Sequence, residues 1–128
     1  MILLLDTSTP VCKLSLIGKD FRFDDEWQAD RTLAKGLLGY VSANLQRHNI
    51  SWTDISGIGV FEGPGSFTGL RIGLTVLNTI ADSQKIPIVG GRGDEWQSDV
   101  LQALYSGKNS QIVLPFYGSE AHITQSRK

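Results

Sequence analysis

FEGPGSFTGLRIG, residues 61–73, joins two segments that have different apolar patterns. Residues 57–61 (GIGVF) are short and apolar, which is typical of a buried strand. Residues 70–83 repeat apolar side chains every three or four positions, which predicts a helix. The chain must therefore turn from strand to helix within the glycine-rich residues between these segments.

The residue types of this turn indicate their conformational roles. Gly63 and Gly65 can adopt positive φ angles at little cost, and Pro64 fixes the φ angle between them. Ser66 stands where a helix N-cap is expected. Such a turn can bind an anion, present a nucleophilic serine, or only orient the helix. The spacing matches none of G-x-x-x-x-G-K-[ST], G-x-G-x-x-G and G-x-S-x-G, so it favours the structural role and leaves the other two open.

The composition is that of a globular protein with one domain. The chain has 128 residues, of which 41% are hydrophobic and 20% are charged, and its net charge is −1. Domains that bind nucleic acid through their overall field are usually basic, so the composition argues against that class. Two local basic strips stay open, although a solvated face is the favoured interpretation of each: Arg22, Arg31 and Lys35, or Arg71, Lys85 and Arg92.

Cysteine use and the amino terminus predict a cytoplasmic protein. Cys12 is the only cysteine, so neither an internal disulfide nor a cysteine-rich metal site is expected. It lies in an alternating apolar segment, which favours a buried, inert thiol over a nucleophile. No apolar stretch approaches the roughly 20 residues that span a bilayer, and residues 1–6 lack the basic start of a signal peptide.

The remaining segments predict an α/β fold with the element order β-β-β-α-β-α-β-α-β. Residues 2–5 form a continuous apolar run, whereas residues 11–17 and 21–23 alternate, which indicates three opening strands. Later strands are expected at residues 57–61, 86–89 and 112–114. Antiparallel strands would open a mixed sheet that then grows through right-handed parallel crossovers, with the helices packed on it.

Asp6 lies in the polar turn that follows the first strand. Ligands of open α/β sheets bind at the carboxyl ends of strands, so this carboxylate is placed to meet a phosphate or a metal. An aspartate in a turn also commonly bonds its own backbone, and both interpretations stay open. The candidate nucleotide or anion contacts are Asp6, Thr7, Ser8, Gly63, Gly65 and Ser66.

Two of the predicted helices combine apolar stripes with small residues. The stripes are Leu33, Leu37, Val41 and Leu45 on the first helix, and Leu70, Leu74, Leu77 and Ala81 beside Ile72, Val76 and Ile80 on the second. A glycine inside a helix costs up to about 1 kcal/mol relative to alanine. Gly36 and Gly39 on the first helix, with Gly69 and Gly73 on the second, therefore suggest that another helix packs closely, unless these glycines are tolerated surface positions.

The helix starts and the end of the chain complete the predicted organisation. Asp30 is expected to cap the first helix, and Asp94 a third helix. Residues 1–116 would form one domain, and residues 117–128 an extra strand or a tail.

Two motifs give the chain a specific resemblance. The opening LLLDTST, followed by a strand, and GPGSFTGLRIG at the start of a helix are similar to those of the tRNA threonylcarbamoyladenosine biosynthesis family TsaB (YeaZ). This glycoprotease-like family belongs to the actin/Hsp70/sugar-kinase (ASKHA) superfamily, and the resemblance covers residues 1–116. It implies a single ASKHA, RNase H-like lobe, with the second lobe of the family absent from this chain.

The resemblance also implies a function and partners. Proteins of this family are non-catalytic partners of a TsaD-like catalytic paralogue in making threonylcarbamoyladenosine at position 37 of tRNA, and a TsaE-like ATPase joins the pair. The chain would dimerise through its first two helices, either with that paralogue or with itself. It would contact tRNA only indirectly, through the complex, and no contact with a membrane is expected. The implied interface residues are Leu33, Gly36, Leu37, Tyr40, Val41, Thr68, Leu70, Arg71, Gly73, Leu74 and Leu77.

No catalytic residue, metal ligand or resident cofactor is expected. The first helix lacks the paired-histidine metal motif of the catalytic paralogue, and His48 and His122 are isolated. A nucleotide site of this superfamily lies between two lobes, so ATP and Mg²⁺ are expected only in complex with a partner. The alternative function is an ATP-binding or hydrolytic, glycoprotease-like enzyme that uses Asp6, Ser8 and the turn at residues 63–66.

Overall fold

The structure is a computed structural model that describes residues 1–117. The predicted extra strand or tail therefore lies outside the described residues, apart from Tyr117, which is in no strand. His122 also lies outside them.

Five strands and three α-helices make up the described part of the chain. Their bounds are β1 (Ile2–Asp6), β2 (Val11–Gly18), β3 (Phe21–Gln28), α1 (Leu33–Arg47), β4 (Gly57–Phe61), α2 (Phe67–Gln84), β5 (Ile88–Gly91) and α3 (Trp96–Tyr105). Short 3₁₀ turns precede α1 at Asp30–Thr32 and β4 at Trp52–Asp54.

The strands form one mixed sheet in the order β3-β2-β1-β4-β5. The pairs β1–β2 and β2–β3 are antiparallel, whereas β1–β4 and β4–β5 are parallel. The predicted α/β class, with an antiparallel opening followed by parallel crossovers, is therefore confirmed. This strand order places β1 at the centre of the sheet. Both faces of β1 are therefore covered, which explains why apolar and polar residues do not alternate along it.

Helices cover the two faces of the sheet unequally. Leu3 and Leu5 of β1 belong to a large apolar cluster with the inner sides of α1 and α2. Ile2 and Leu4 face the other way and pack with α3 through Trp96 and other residues in a smaller cluster. Side chains of β1 are thus buried on both faces of the sheet.

The predicted last strand at residues 112–114 is wrong. Val113 is buried, but Ile112 and Leu114 are 64% and 71% exposed. The Asn78 side chain of α2 donates from Nδ2 to the Val113 carbonyl at 2.8 Å and accepts from the Val113 N–H at 2.9 Å. One side-chain amide therefore occupies the backbone groups that a neighbouring strand would otherwise bond.

Two predicted helix caps are also wrong. Asp30 lies in the 3₁₀ turn with a φ of 48°, because its N–H and that of Ala29 both donate to the Pro10 carbonyl and turn the chain before α1 begins. Helix α3 begins after Glu95 rather than after Asp94. The cap of α2 is confirmed, since the Ser66 hydroxyl accepts from the Gly69 N–H at 3.1 Å.

None of the helices in the described part of the chain is both long enough and apolar enough to cross a membrane.

Candidate functional site

The turn between β4 and α2 has the strained backbone that its glycines predict. Gly63 has a φ of 121° and precedes Pro64 through a cis peptide bond. A Cβ added at Gly63 would overlap the Phe116 carbonyl oxygen and would lie 2.8 Å from Cδ1 of Leu70. Only glycine fits this position, because both the φ angle and the close approach of the backbone exclude a side chain.

The β1–β2 loop packs tightly against this turn. The Ser66 N–H donates to the Ser8 carbonyl at 2.8 Å, and the buried Thr7 hydroxyl donates to the Gly69 carbonyl at 2.8 Å. A Cβ at Gly65 would lie 2.5 Å from the Ser8 Cβ. These contacts use the polar groups of the loop within the chain and hold the start of α2 against the sheet. They support the structural role of the turn.

Asp6 is directed away from the glycines of the turn. Its Oδ1 accepts from the Ser8 N–H at 2.8 Å, which is the local backbone bond expected of a turn aspartate. Its side chain lines a cavity of about 190 Å³ with Lys13, Ser15 and Gln97, on the face of the sheet that α3 covers. Ser66, another of the six candidate contacts for a nucleotide or anion, does not line this cavity, and the role of the six residues stays a prediction.

A larger cavity, of about 670 Å³, opens on the opposite face of the sheet. It lies between the starts of α1 and α2, and its walls include Pro10, Arg31, Ala34, Thr68 and Ile72. Ser66 also lines it, but Asp6, Thr7 and Ser8 do not. This cavity is therefore a feature of the two helices rather than of the predicted nucleotide contacts.

The apolar stripes of α1 and α2 are not available to a partner in this structure. Leu37, Val41, Leu70 and Leu77 are 0% exposed, and Leu33 and Leu74 are at most 6% exposed. Five of them pack on the sheet of their own chain, and Leu70 is buried beside Gly63 of the turn. The expectation that these six side chains anchor an interface therefore needs correction, because their own chain already covers them.

The glycine positions need a similar correction. A Cβ at Gly36 would lie 2.8 Å from Cη2 of Trp27, which belongs to β3. Cβ atoms at Gly69 and Gly73 would overlap the carbonyl and hydroxyl oxygens of Thr7. The groups that contact the helix backbone at these glycines are therefore a side chain of β3 and the β1–β2 loop, not another helix.

Tyr40 has a structural partner as well. Its hydroxyl donates to Asp25 Oδ2 at 2.8 Å, and its ring stacks on Trp27 with centroids 5.0 Å apart. Burial, and next the bonded Asp25 carboxylate, raise the pKa of the Tyr40 phenol. Among the implied interface residues, Thr68 and Arg71 are the ones that remain exposed.

The surface that α1 and α2 do present includes Gly39, Ile72 and Val76, which the sequence pattern indicated, and Leu38, which it did not. We call it the α1–α2 outer face, and its members are Ala34, Leu38, Gly39, Ile72, Thr75 and Val76. Ala34 and Ile72 share the larger cavity, and Leu38 and Val76 each follow one helical turn later. Leu38 is 53% exposed, and nothing lies within 4 Å of a Cβ added at Gly39. The sequence also indicates this surface through its charges, because residues 36–46 and 72–81 carry no charged side chain.

The isolated histidine and cysteine have packing roles. The His48 ring lies 4.3 Å from the Phe23 ring, and its Nδ1 lies 3.0 Å from the Asn44 carbonyl oxygen. Cys12 is buried in the cluster beneath α1 and α2. Within residues 1–117, no three histidine, cysteine or acidic side chains are grouped so that they could hold a metal ion.

Comparison with known proteins identifies similar chains. A family model described as TsaD, tRNA N6-adenosine threonylcarbamoyltransferase, matches residues 27–91. The tRNA threonylcarbamoyladenosine biosynthesis protein TsaB of Buchnera aphidicola is 33% identical over 88 residues, which is 69% of this chain and 40% of that protein. TsaB of Escherichia coli is 32% identical over 90 residues, 70% of this chain and 38% of that protein.

A solved structure supports the same likeness. YeaZ from Pseudomonas aeruginosa superposes with a TM-score of 0.67 at 28% identity, over 71% of this chain and 43% of that one. The chain thus spans about two fifths of the length of the curated relatives described here.

Proposed function

The chain belongs to the tRNA N6-adenosine threonylcarbamoyltransferase (TsaD) family, with TsaB and YeaZ proteins among its relatives, and we therefore propose that it is a non-catalytic partner subunit in the biosynthesis of threonylcarbamoyladenosine in tRNA. In this proposal, the α1–α2 outer face binds a TsaD-like catalytic paralogue. The catalytic groups belong to that paralogue, and tRNA meets this chain through the complex.

The composition of the α1–α2 outer face carries the proposal. A surface helix normally presents charged residues to water. Here α1 has no charge between Lys35 and Arg47, and α2 has none between Arg71 and Asp82. Leu38 stands half-exposed in this uncharged region. Depletion of charge around exposed apolar side chains is the compositional mark of an interface centre.

The shape of this face fits a closely approaching helix. Gly39 has open space where a side chain would stand, so the backbone of α1 can be contacted directly. Burial of the exposed half of Leu38 would contribute roughly 0.8–1.5 kcal/mol before the costs of association. The half-buried Ile72 and Val76 add apolar area beside it. A stable complex would need about 800 Å² from each partner, which extends beyond these residues to neighbouring parts of both helices.

We assign no chemical step to this chain. The Thr7 hydroxyl and the Ser8 backbone already bond within the chain, and Asp6 lines a different cavity from Ser66. ATP and Mg²⁺ therefore belong to the complex. A TsaE-like ATPase is included as the third member, and no residue here is assigned to it.

The first test is association of the full chain with a TsaD-type protein from the same organism. Light scattering after size-exclusion chromatography should detect a complex that Leu38→Glu abolishes, because a buried carboxylate would lose its hydration. Tyr105→Glu is the matched control. Tyr105 is 68% exposed on α3, across the sheet, so this variant should still associate. Equal binding by both variants would contradict the proposed surface.

A second variant separates loss of binding from loss of folding. Gly39→Gln adds a side chain where the isolated chain has room and removes a helix-interior glycine, so it should raise the free energy of unfolding by up to about 1 kcal/mol. It should nevertheless prevent association. The mass of the chain alone, with and without the substitution, reports whether a homodimer uses the same face. Calorimetric binding of ATP and Mg²⁺ by the lone chain at micromolar concentration would instead favour the enzyme alternative.

A further inference from the structure

Five planar side chains form a row across the surface where α2 begins. The Arg92 guanidinium lies 3.8 Å from the centre of the Phe116 ring. Tyr117 follows in sequence, and its ring centre is 4.6 Å from that of Phe67, with the two planes 32° apart. Arg71, one turn along α2, lies 5.3 Å from the Phe67 ring centre. The backbone between Phe116 and Tyr117 joins the pair Arg92–Phe116 to the group Tyr117–Phe67–Arg71. We call these five side chains the row, and a guanidinium stands at each end of it.

Burial in the core does not explain why these side chains lie together. Phe67 and Tyr117 are 55% and 42% exposed, and none of the three rings belongs to either apolar cluster of the core. The two cavities described above are not lined by any member of the row. The aromatic faces thus lie on open surface, where a flat partner fits better than a protein side chain that needs a pocket.

The charges at the two ends of the row differ. Arg92 is paired with Glu62 through a 2.7 Å contact between Nε and Oε1. Arg71 takes part in no ion pair within residues 1–117. One end of the row is consequently neutralised, and the other presents, among the described residues, an unpaired guanidinium next to an exposed ring.

We propose that this row binds a short single-stranded segment of RNA. An unpaired base stacks on the outer face of Tyr117, whose other side lies against Phe67, and a neighbouring phosphate pairs with Arg71 over the Phe67 ring. Bases stack on aromatic planes, and every base has such a face. The rings are too close together for a base to enter between them, so stacking is external. The choice of RNA over DNA rests on the proposed function, in which tRNA meets the chain through the complex; direct contact between this row and RNA goes beyond it. The surface itself does not depend on the α1–α2 outer face.

The test uses the full chain alone, so it does not depend on whether a protein partner binds. Fluorescence anisotropy compares a labelled, unstructured RNA 10-mer with a duplex of the same length at low salt. The chain should prefer the single strand. Tyr117→Leu should weaken binding about tenfold, the order of magnitude of one lost base–aromatic stack. Phe67→Leu should also weaken binding, because it removes the ring against which Tyr117 and Arg71 lie. Arg71→Gln should reduce the slope of log affinity against log salt by about one.

Matched variants complete the design. Tyr117→Phe keeps the ring and should retain binding, whereas Tyr105→Leu removes an exposed tyrosine on α3 and should leave binding unchanged. Circular dichroism checks that each variant is folded. Unchanged affinity in folded Phe67→Leu and Tyr117→Leu, or equal binding of duplex, would overturn the proposal. If these variants instead lost the TsaD-type partner while RNA binding persisted, the row would be a protein contact and the RNA assignment would be wrong.

Discussion

Cys12 lies on β2 under α1 and α2, with no exposed surface. Burial raises the pKa of its thiol to about 12, and the negative charge of Asp6 adds to the shift. The folded chain therefore keeps this thiol neutral at pH values where an exposed cysteine has already lost its proton. The unfolded chain gains free energy by ionising it, so stability must depend on pH in the alkaline range.

This linkage predicts a loss of stability above about pH 9, the ordinary value for the thiol. Because the folded pKa is raised, the contribution of Cys12 is complete below that value and disappears as the pH rises toward 12. The loss by pH 10 is about 1.4 kcal/mol. Urea unfolding at pH 7.5, 9 and 10 should show a shallower fall between the last two values in Cys12→Ala than in the unsubstituted chain. Parallel falls would show that the thiol ionises equally in both states.

The glycines of α1 and α2 show what could not be predicted from the sequence, namely which groups contact the helix backbone. Glycine spacing on α1 and α2 indicated close approach to the helix backbones, and such approach occurs at Gly36, Gly69 and Gly73. The approaching groups are Trp27 and Thr7, which no helix period could have identified. Sequence can indicate that a side chain must be missing, but the neighbour that needs the space is set by the folded arrangement.

Helix α2 supplies the partner for the segment that follows α3. The carboxamide of Asn78 makes two hydrogen bonds to the backbone of Val113, as a neighbouring strand would. The Val113 side chain also fills the space over Gly90 at the edge of β5. The segment is therefore held at Val113, between the backbone hydrogen bonds that Ser110 donates to Ile88 and Phe116 donates to Glu62. Ile112 and Leu114, on either side of Val113, remain exposed.

Removing this amide should loosen the segment without affecting the helix. Asn78→Ala leaves the Val113 N–H and carbonyl without their partner, which costs about 1–3 kcal/mol where such groups are buried. Hydrogen exchange should speed up at residues 110–116, and urea should unfold the variant at a lower concentration. Thr79→Ala is the control, since the Thr79 hydroxyl bonds only to the Thr75 carbonyl of its own helix. Equal exchange in both variants would mean that Val113 is held by packing alone.

The helices illustrate a general limit of apolar periodicity. The stripe of α1 and the stripe of α2 that begins at Leu70 were predicted from spacing, and their burial is confirmed, but a partner was assigned to them although their own chain covers them. The second row of α2, which begins at Ile72, is only partly buried. A period of 3.6 residues gives the side of a helix that leaves water, whatever covers it. The lack of charged residues at 36–46 and 72–81 was the sequence feature that indicated the α1–α2 outer face, on the side of the helices away from the sheet. The strand at residues 112–114 failed because the Asn78 contact joins residues far apart in sequence.

The two sides of the sheet have unequal support. Helices α1 and α2 cover the larger apolar cluster, whereas α3 covers only a small one around Val89, Trp96 and Val100. On the α3 side, β2 and β3 present polar groups, including Ser15, whose hydroxyl donates to the Asp24 carboxylate. The α3 layer therefore has less buried apolar surface to hold it, and regions with few such contacts open at lower free energy.

We expect α3 to open before the rest of the molecule, and two conservative variants can show it. Ile58 of β4 is buried on the α1–α2 side, and Ile58→Val should cost about 0.5–1.5 kcal/mol. If α3 opens separately, Ile58 keeps its contacts in that opening, so hydrogen exchange in residues 96–105 should not change, while exchange in β1 and α2 becomes faster. Val100→Ala, in the α3 layer, should accelerate exchange in both regions, because every opening releases Val100. If Ile58→Val instead accelerated exchange in α3 by the same factor as in β1, α3 would unfold only with the whole chain, and the two layers would be one cooperative unit.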